Sequence, residues 1–251
     1  EDHERWKQWS QGMNRAAILN GRNRASDDLA EDVRALAQQS LLAWYSYLTD
    51  LVAGRSGGMG DDLVSTLVRS SESGEGLSDL EVVGTIGLLI GAGHDTTANL
   101  IANAVLALMR NPEQYELLRA DPSLASAAVE ETSRYDGSAR GQPRVALEDV
   151  EIGGEVIRAG DTVMVIANAA NRDPEKFTDP ERFDITRREG GHVAFAAGIH
   201  FCVGAPLARM EAEVALRRLT QLPQRFALAT EELTYKPTHG RNLTALPVRA
   251  C

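Results

Sequence analysis

From Ser78 to Met109 the chain runs without a proline and is apolar on nearly every side. Asn111-Pro112 supplies the stop, because a proline ring disfavours helical geometry in the residue before it. At the other end Ser78 is placed to cap, and Glu81 follows three residues on. In that reciprocal pattern each side chain takes one of the amides a helix start leaves unpaired. The pattern predicts one helix of about thirty residues, roughly 45 Å long. An apolar helix of that length has to be surrounded, so it belongs in the middle of a mainly helical molecule. Within it, Gly91-Ala92-Gly93-His94-Asp95-Thr96-Thr97 sets poor helix formers where a buried helix favours Leu or Ala.

Around this helix the first half of the chain reads as helical. Leu29 to Leu51 has the spacing of an amphipathic helix, and Leu63 to Arg69 of a shorter one between polar, Gly-rich stretches. Pro112 to Arg119 and Leu124 to Tyr135 continue the series. The texture then changes. Val145 to Glu151, Val156-Ile157 and Thr162 to Ile166 are short β-type runs punctuated by glycine, which predicts a small sheet. Asn171 to Gly198 is rich in Pro, Gly and charge and reads as one long irregular segment, uncommon unless it serves a function. Ala205 to Leu222 is helical, with Pro206 in the first turn, and Phe226 to Val248 reads as short strands. The fold class is mainly α with small β-sheets.

A net charge of −10 argues against nucleic acid as a partner. Two cysteines, Cys202 and Cys251, do not make a disulfide framework or a four-thiolate iron–sulfur site, which favours a reducing, cytoplasmic setting. The charged start Glu1-Asp2-His3-Glu4-Arg5 does not read as a signal peptide. The longest apolar run, Val82 to Gly93, is too short to cross a bilayer, so a soluble protein is expected.

Phe195-Ala196-Ala197-Gly198-Ile199-His200-Phe201-Cys202-Val203-Gly204 stands directly before a helix. A helix N-terminus favours negative charge, the form in which a cysteine sulfur ligates metal. Glycines on both sides let the backbone turn and approach a flat ligand. A lone cysteine is more often an inert core residue. A zinc site at His200 and Cys202 lacks other clustered ligands.

The loop resembles the haem-thiolate loop of the cytochrome P-450 family, with Phe, Gly, His, Cys and Gly at the family's spacing. Three further segments follow that family's order: Gly91 to Thr97 its oxygen-activating stretch, Glu131-Thr132-Ser133-Arg134 its Glu-x-x-Arg motif, and Pro180-Glu181-Arg182-Phe183 the segment lending a second arginine. The resemblance implies a P-450 fold, with the long helix over a haem b and the cysteine loop below it. The whole of 1–251 is then one haem-binding domain, the C-terminal portion of the fold, with its N-terminal part missing. It implies Cys202 as the thiolate ligand to iron, with Phe195, Gly198, Gly204, Ala92 and Gly93 against the macrocycle. Arg144 and His200 would meet the haem propionates, as bidentate guanidinium and imidazole groups can. Glu131, Arg134 and Arg182 would form a buried charged network that pins the loop. Asp95 and Thr96 would be the acid–alcohol pair that relays protons while the O–O bond breaks.

The resemblance also implies a monooxygenase acting with O2 on a small, largely apolar substrate, fed electrons by a ferredoxin or similar donor. Its pocket would draw on Leu88, Leu89 and Gly91, on Ser138 and Gly141, and on Gly240 in the tail. The other readings are a non-catalytic haem-binding protein, a peroxide-driven peroxygenase, or a truncated half-enzyme.

Overall fold

The computed structural model describes residues 5, 6, 8, 9, 27–55, 60–72, 76–236 and 242–251. Residues 5, 6, 8 and 9 are helical, and the described elements then continue with α1 (Asp27–Ala53), α2 (Leu63–Glu72) and α3 (Asp79–Arg110). α3 is the long helix expected, with 32 residues and a length of about 48 Å. Its start is the reciprocal cap: the Ser78 amide donates to Glu81 Oε2 at 2.8 Å, and the Glu81 amide to Ser78 Oγ at 3.4 Å. The hydrogen bond from the Ser78 amide, joined by that from its hydroxyl, pulls the Glu81 carboxyl below its ordinary range.

The chain divides into two compact units, Glu1–His94 and Asp95–Cys251, so each receives one part of α3. In the first unit Trp44, Leu48 and Val52 of α1, Val68 of α2, and Val82, Val83 and Ile86 of α3 form the core. Trp6 and Trp9 meet Trp44 edge-on, with centroids 6.3 and 5.8 Å away. A side chain at Gly87 would lie 3.0 Å from Leu48 Cδ1 and 3.1 Å from Trp44 Nε1, so glycine lets α3 come close to α1. Val82, Val83 and Ile86 form one buried stripe, while Leu80 is 76% and Leu88 67% exposed.

In the second unit α4 (Pro112–Ala120) and α5 (Ala125–Asp136) pack with the last turns of α3 and with α7 (Ala205–Gln221). Leu100, Ala104 and Leu108 of α3 share this core with Tyr115, Leu118, Ala128, Val129, Ala212 and Leu216. Small residues on α5 and α7 allow their close packing. The short helix α6 (Ala167–Ala170) lies between them in sequence.

Among the described residues the strands make three separate two-stranded antiparallel sheets. β1 (Gln142–Val145) pairs with β4 (Thr162–Val165), and β5 (Phe226–Leu228) with β6 (Val248–Ala250). β2 (Val150–Ile152) turns into β3 (Glu155–Ile157) through Gly153-Gly154, both at positive φ, as a two-residue hairpin loop requires.

Candidate functional site

The loop ahead of α7 is fixed by its own backbone. The Cys202 amide donates to the Phe195 carbonyl at 2.9 Å, closing the segment into a ring, and Gly198–His200 forms a single 3-10 turn inside it. Gly198 sits at φ +63° and Ala196 at φ +60°, a conformation an L side chain adopts only with strain. The carbonyls of Cys202 and Gly204 accept from Ala205 and Ala208, which leads the loop into α7. No side chain caps that helix, and Pro206 occupies its first turn.

Cys202 is a free, exposed thiol. Its sulfur lies 3.9 Å from where a side chain at Gly204 would begin, so glycine leaves room beside it. Ile199, Phe201 and Val203 around it are 98%, 53% and 82% exposed, an apolar collar open to a ligand. Among the described residues no three His, Cys, Asp or Glu side chains group to hold a bare ion. The collar beside the Cys202 sulfur suits a flat apolar group.

Below the loop lies the charged network, with one member different from expectation. Arg134 and Glu131 are 2% and 3% exposed, and the guanidinium grips the carboxylate with two hydrogen bonds of 2.8 Å. Its remaining N–H groups donate to the carbonyls of Asn171, Pro180 and Arg182 at 3.0, 2.9 and 3.1 Å. The second guanidinium on Glu131 belongs to Arg187, at 3.2 Å and 7% exposed. Arg182 contributes its carbonyl, while its side chain is 64% exposed and reaches only Asp184 at 3.6 Å. The expected Glu131–Arg134–Arg182 trio is thus corrected to Glu131–Arg134–Arg187. Phe183 and Ile185 are buried, and a turn closed by the Arg187 amide on the Asp184 carbonyl at 3.1 Å carries the chain to Arg187, which meets Glu131.

The other candidates fall in several places. Arg144 stands on β1, where its guanidinium donates to the Pro143 carbonyl and Gln142 Oε1; both acceptors are neutral, so its charge is retained. His200 ends the 3-10 turn and is exposed. Phe195 packs against the core of the second unit, with the Arg209 guanidinium 4.3 Å from its ring centre. Asp95 faces Lys236, whose Nζ lies 3.7 Å from Oδ1, and its carbonyl accepts from Asn99 Nδ2 at 2.5 Å. Thr96 is exposed beside it.

Leu88, Gly91, Ala92 and Gly93 are exposed and Leu89 half-buried, all on the part of α3 belonging to the first unit. Ser138 and Gly141 are half-buried in the second unit; a side chain at Gly141 would press on the Val165 carbonyl at 3.2 Å. Gly240 lies outside the described residues. The structure therefore joins Phe195, Gly198, Cys202 and Gly204 in one loop, and Glu131 with Arg134 beneath the preceding segment. Motif reading missed Arg187, Lys236 and the group around Phe195, because their partners are distant in sequence and no spacing rule announces them. No described helix is long and apolar enough to cross a membrane.

Residues 59–248 match the family model described as cytochrome P-450. The chain is 48% identical over 215 residues to cytochrome P-450 107B1 of Saccharopolyspora erythraea, covering 84% of this chain and 53% of that protein. It is 46% identical over 228 residues to the cytochrome P-450 monooxygenase PikC of Streptomyces venezuelae, covering 89% and 54%. The chain spans about half the length of these curated relatives. Among solved structures it is similar to P-450 BioI in complex with hexadec-9Z-enoic acid ligated acyl carrier protein. That match has a TM-score of 0.89 and 37% identity over 100% of this chain and 62% of the other. With the cysteine loop, the Glu131–Arg134 pair and a mainly helical fold with small sheets in place, these matches show that the chain belongs to the cytochrome P-450 family.

Proposed function

We propose that this chain is the C-terminal portion of a single haem-binding domain in a monooxygenase that oxidises a small, largely apolar organic molecule with O2. The observation that carries the reading is the exposed Cys202 sulfur at the head of α7, between a positive-φ glycine and a glycine that leaves it room. When bound there, haem b supplies activation of O2 with two electrons, one oxygen atom entering the substrate and the other leaving as water. The electrons come from a ferredoxin or similar donor, and the setting is cytoplasmic.

The protein's own groups bind, orient and move protons. Cys202 supplies the sulfur ligand from the N-terminal end of α7. Arg144 and His200 would hold carboxylates of the cofactor, and Phe195, Gly198, Gly204, Ala92 and Gly93 would be residues that bind it. The carboxylate of Asp95 passes protons, and the Thr96 hydroxyl orders the water that receives them. Leu88, Leu89, Gly91, Ser138, Gly141 and Gly240 belong to the substrate side. Glu131, Arg134 and Arg187 keep the irregular segment before the loop in one arrangement.

The test is the absorption spectrum of the reduced, carbon-monoxide-treated protein. A strongly red-shifted Soret band is expected from the parent chain and its loss from Cys202→Ser. A variant that kept the band would remove Cys202 as the ligand.

A further inference from the structure

Glu130 precedes Glu131 on α5, and the two carboxylates serve different segments. Glu131 grips the irregular chain around Arg187. Glu130 instead takes two hydrogen bonds from Arg209 of α7, at 2.6 Å from Nε and 3.1 Å from Nη2. Its Oε2 also lies 3.1 Å from His192 Nε2. The Ala194 amide donates to His192 Nδ1 at 3.3 Å, which leaves Nε2 as the protonated nitrogen that faces Glu130. Both partners of Glu130 then converge on Phe195. The Arg209 guanidinium stacks 4.3 Å from the ring centre, and the His192 ring lies 6.0 Å away. The Phe195 carbonyl accepts the Cys202 amide, and the Val193 amide is tied to Asn171 Oδ1 at 2.7 Å. The chain from His192 to Cys202 is therefore held at one end by Asn171 and in the middle by a stacked cation.

Burial works to raise the Glu130 carboxyl, but the hydrogen bonds from His192 and Arg209 and the charge of Arg209 outweigh it and hold the group at about 2. The carboxylate is thus ionised across the ordinary pH range, and the arrangement is a standing one.

We infer that Glu130, Arg209 and His192 form a clasp on Phe195 that sets the direction in which the cysteine loop presents the Cys202 sulfur. These three are positioning residues, acting through the Phe195 ring and backbone. Their bearing on haem rests on the proposed ligand role of Cys202. Their bearing on the loop does not.

The experiment follows hydrogen exchange of the Cys202 amide in the full chain without haem. Glu130→Gln and Arg209→Gln are expected each to speed that exchange about tenfold, as when a hydrogen bond to a charged group is lost and the segment opens locally. Amides of α4 and of the buried half of α3 keep their rates. The double variant is no faster than either single one, because both act in one network, and Arg209→Lys restores part of the protection. With haem added, Glu130→Gln is expected to move part of the red-shifted carbonyl band to shorter wavelength. Unchanged exchange at Cys202, an equal rise over the whole chain, or additive single effects would each overturn the clasp. A Cys202→Ser chain that kept the red-shifted band would defeat the ligand assignment and leave the exchange result standing.

Discussion

Arg182 and Arg187 show how far apart two arginines of one segment can be in consequence. Arg187 is buried on Glu131 and also donates to the carbonyls of Thr178, Asp179 and Arg182. Arg187→Ala leaves Glu131 paired with Arg134 but removes the donor from the carbonyls of Thr178, Asp179 and Arg182, and is expected to destabilise the protein by about 1–3 kcal/mol. Arg182→Ala removes an exposed group and should stay within about 0.5 kcal/mol. Denaturant unfolding of the two variants compares them directly, and equal effects would return the role to Arg182. Ala196, at φ +60°, gives the opposite sign. Ala196→Gly relieves left-handed strain and is expected to raise stability by about 0.5–1 kcal/mol in the same measurement, part of the gain being offset by a more flexible unfolded chain. Glu130 sets a pH window. Its folded carboxyl sits at about 2 against an ordinary 4.5, so its contribution is complete above 4.5 and is lost as pH falls through 2. Stability followed from pH 5 to pH 2 should fall less steeply in Glu130→Gln than in the parent. The motif around Cys202 and the three-residue spacing of Glu131 and Arg134 were legible because both are local. Arg187 depends on the turn that follows Phe183 and brings its guanidinium to Glu131, across 56 residues of chain.

Among the elements, long helices announce themselves and short ones do not. α3 was readable from its reciprocal cap and the proline that follows it. α6 has four residues, about one helical turn, so no pattern can repeat along it. β1 begins at Gln142-Pro143, before the apolar run that suggested a strand, because pairing with β4 extends it. The pairing of Asp95 with Lys236 links the middle of α3 to the tail, a contact no local pattern encodes. On the proposed function, the exposed Thr96 hydroxyl on α3 organises proton delivery and takes no part in holding the cofactor. Thr96→Ala is then expected to keep the haem spectrum while diverting reducing equivalents into hydrogen peroxide. Product formed per nicotinamide cofactor oxidised, with peroxide measured in parallel, checks this. Unchanged coupling would make the hydroxyl structural.

At the scale of the molecule, four motifs in the family's order, at Gly91 to Thr97, Glu131 to Arg134, Pro180 to Phe183 and Phe195 to Gly204, were sufficient to place the chain in its family. What was not legible is how the charged segment before the loop is held, since each tie spans a long stretch of chain. The Asp184 amide reaches Glu131 across 53 residues, and Arg134 reaches the Arg182 carbonyl across 48. Ties of that range have consequences for the order of events when the chain folds. The entropy of closing such a loop is spent before any of its hydrogen bonds form, whereas α4 and α5 gain theirs from near neighbours. The segment carrying Arg187 is therefore expected to settle after the rate-limiting barrier, so that Arg187→Ala accelerates unfolding far more than it slows refolding. A chain emerging from synthesis would then possess its helices before it possesses a rigid seat for Cys202.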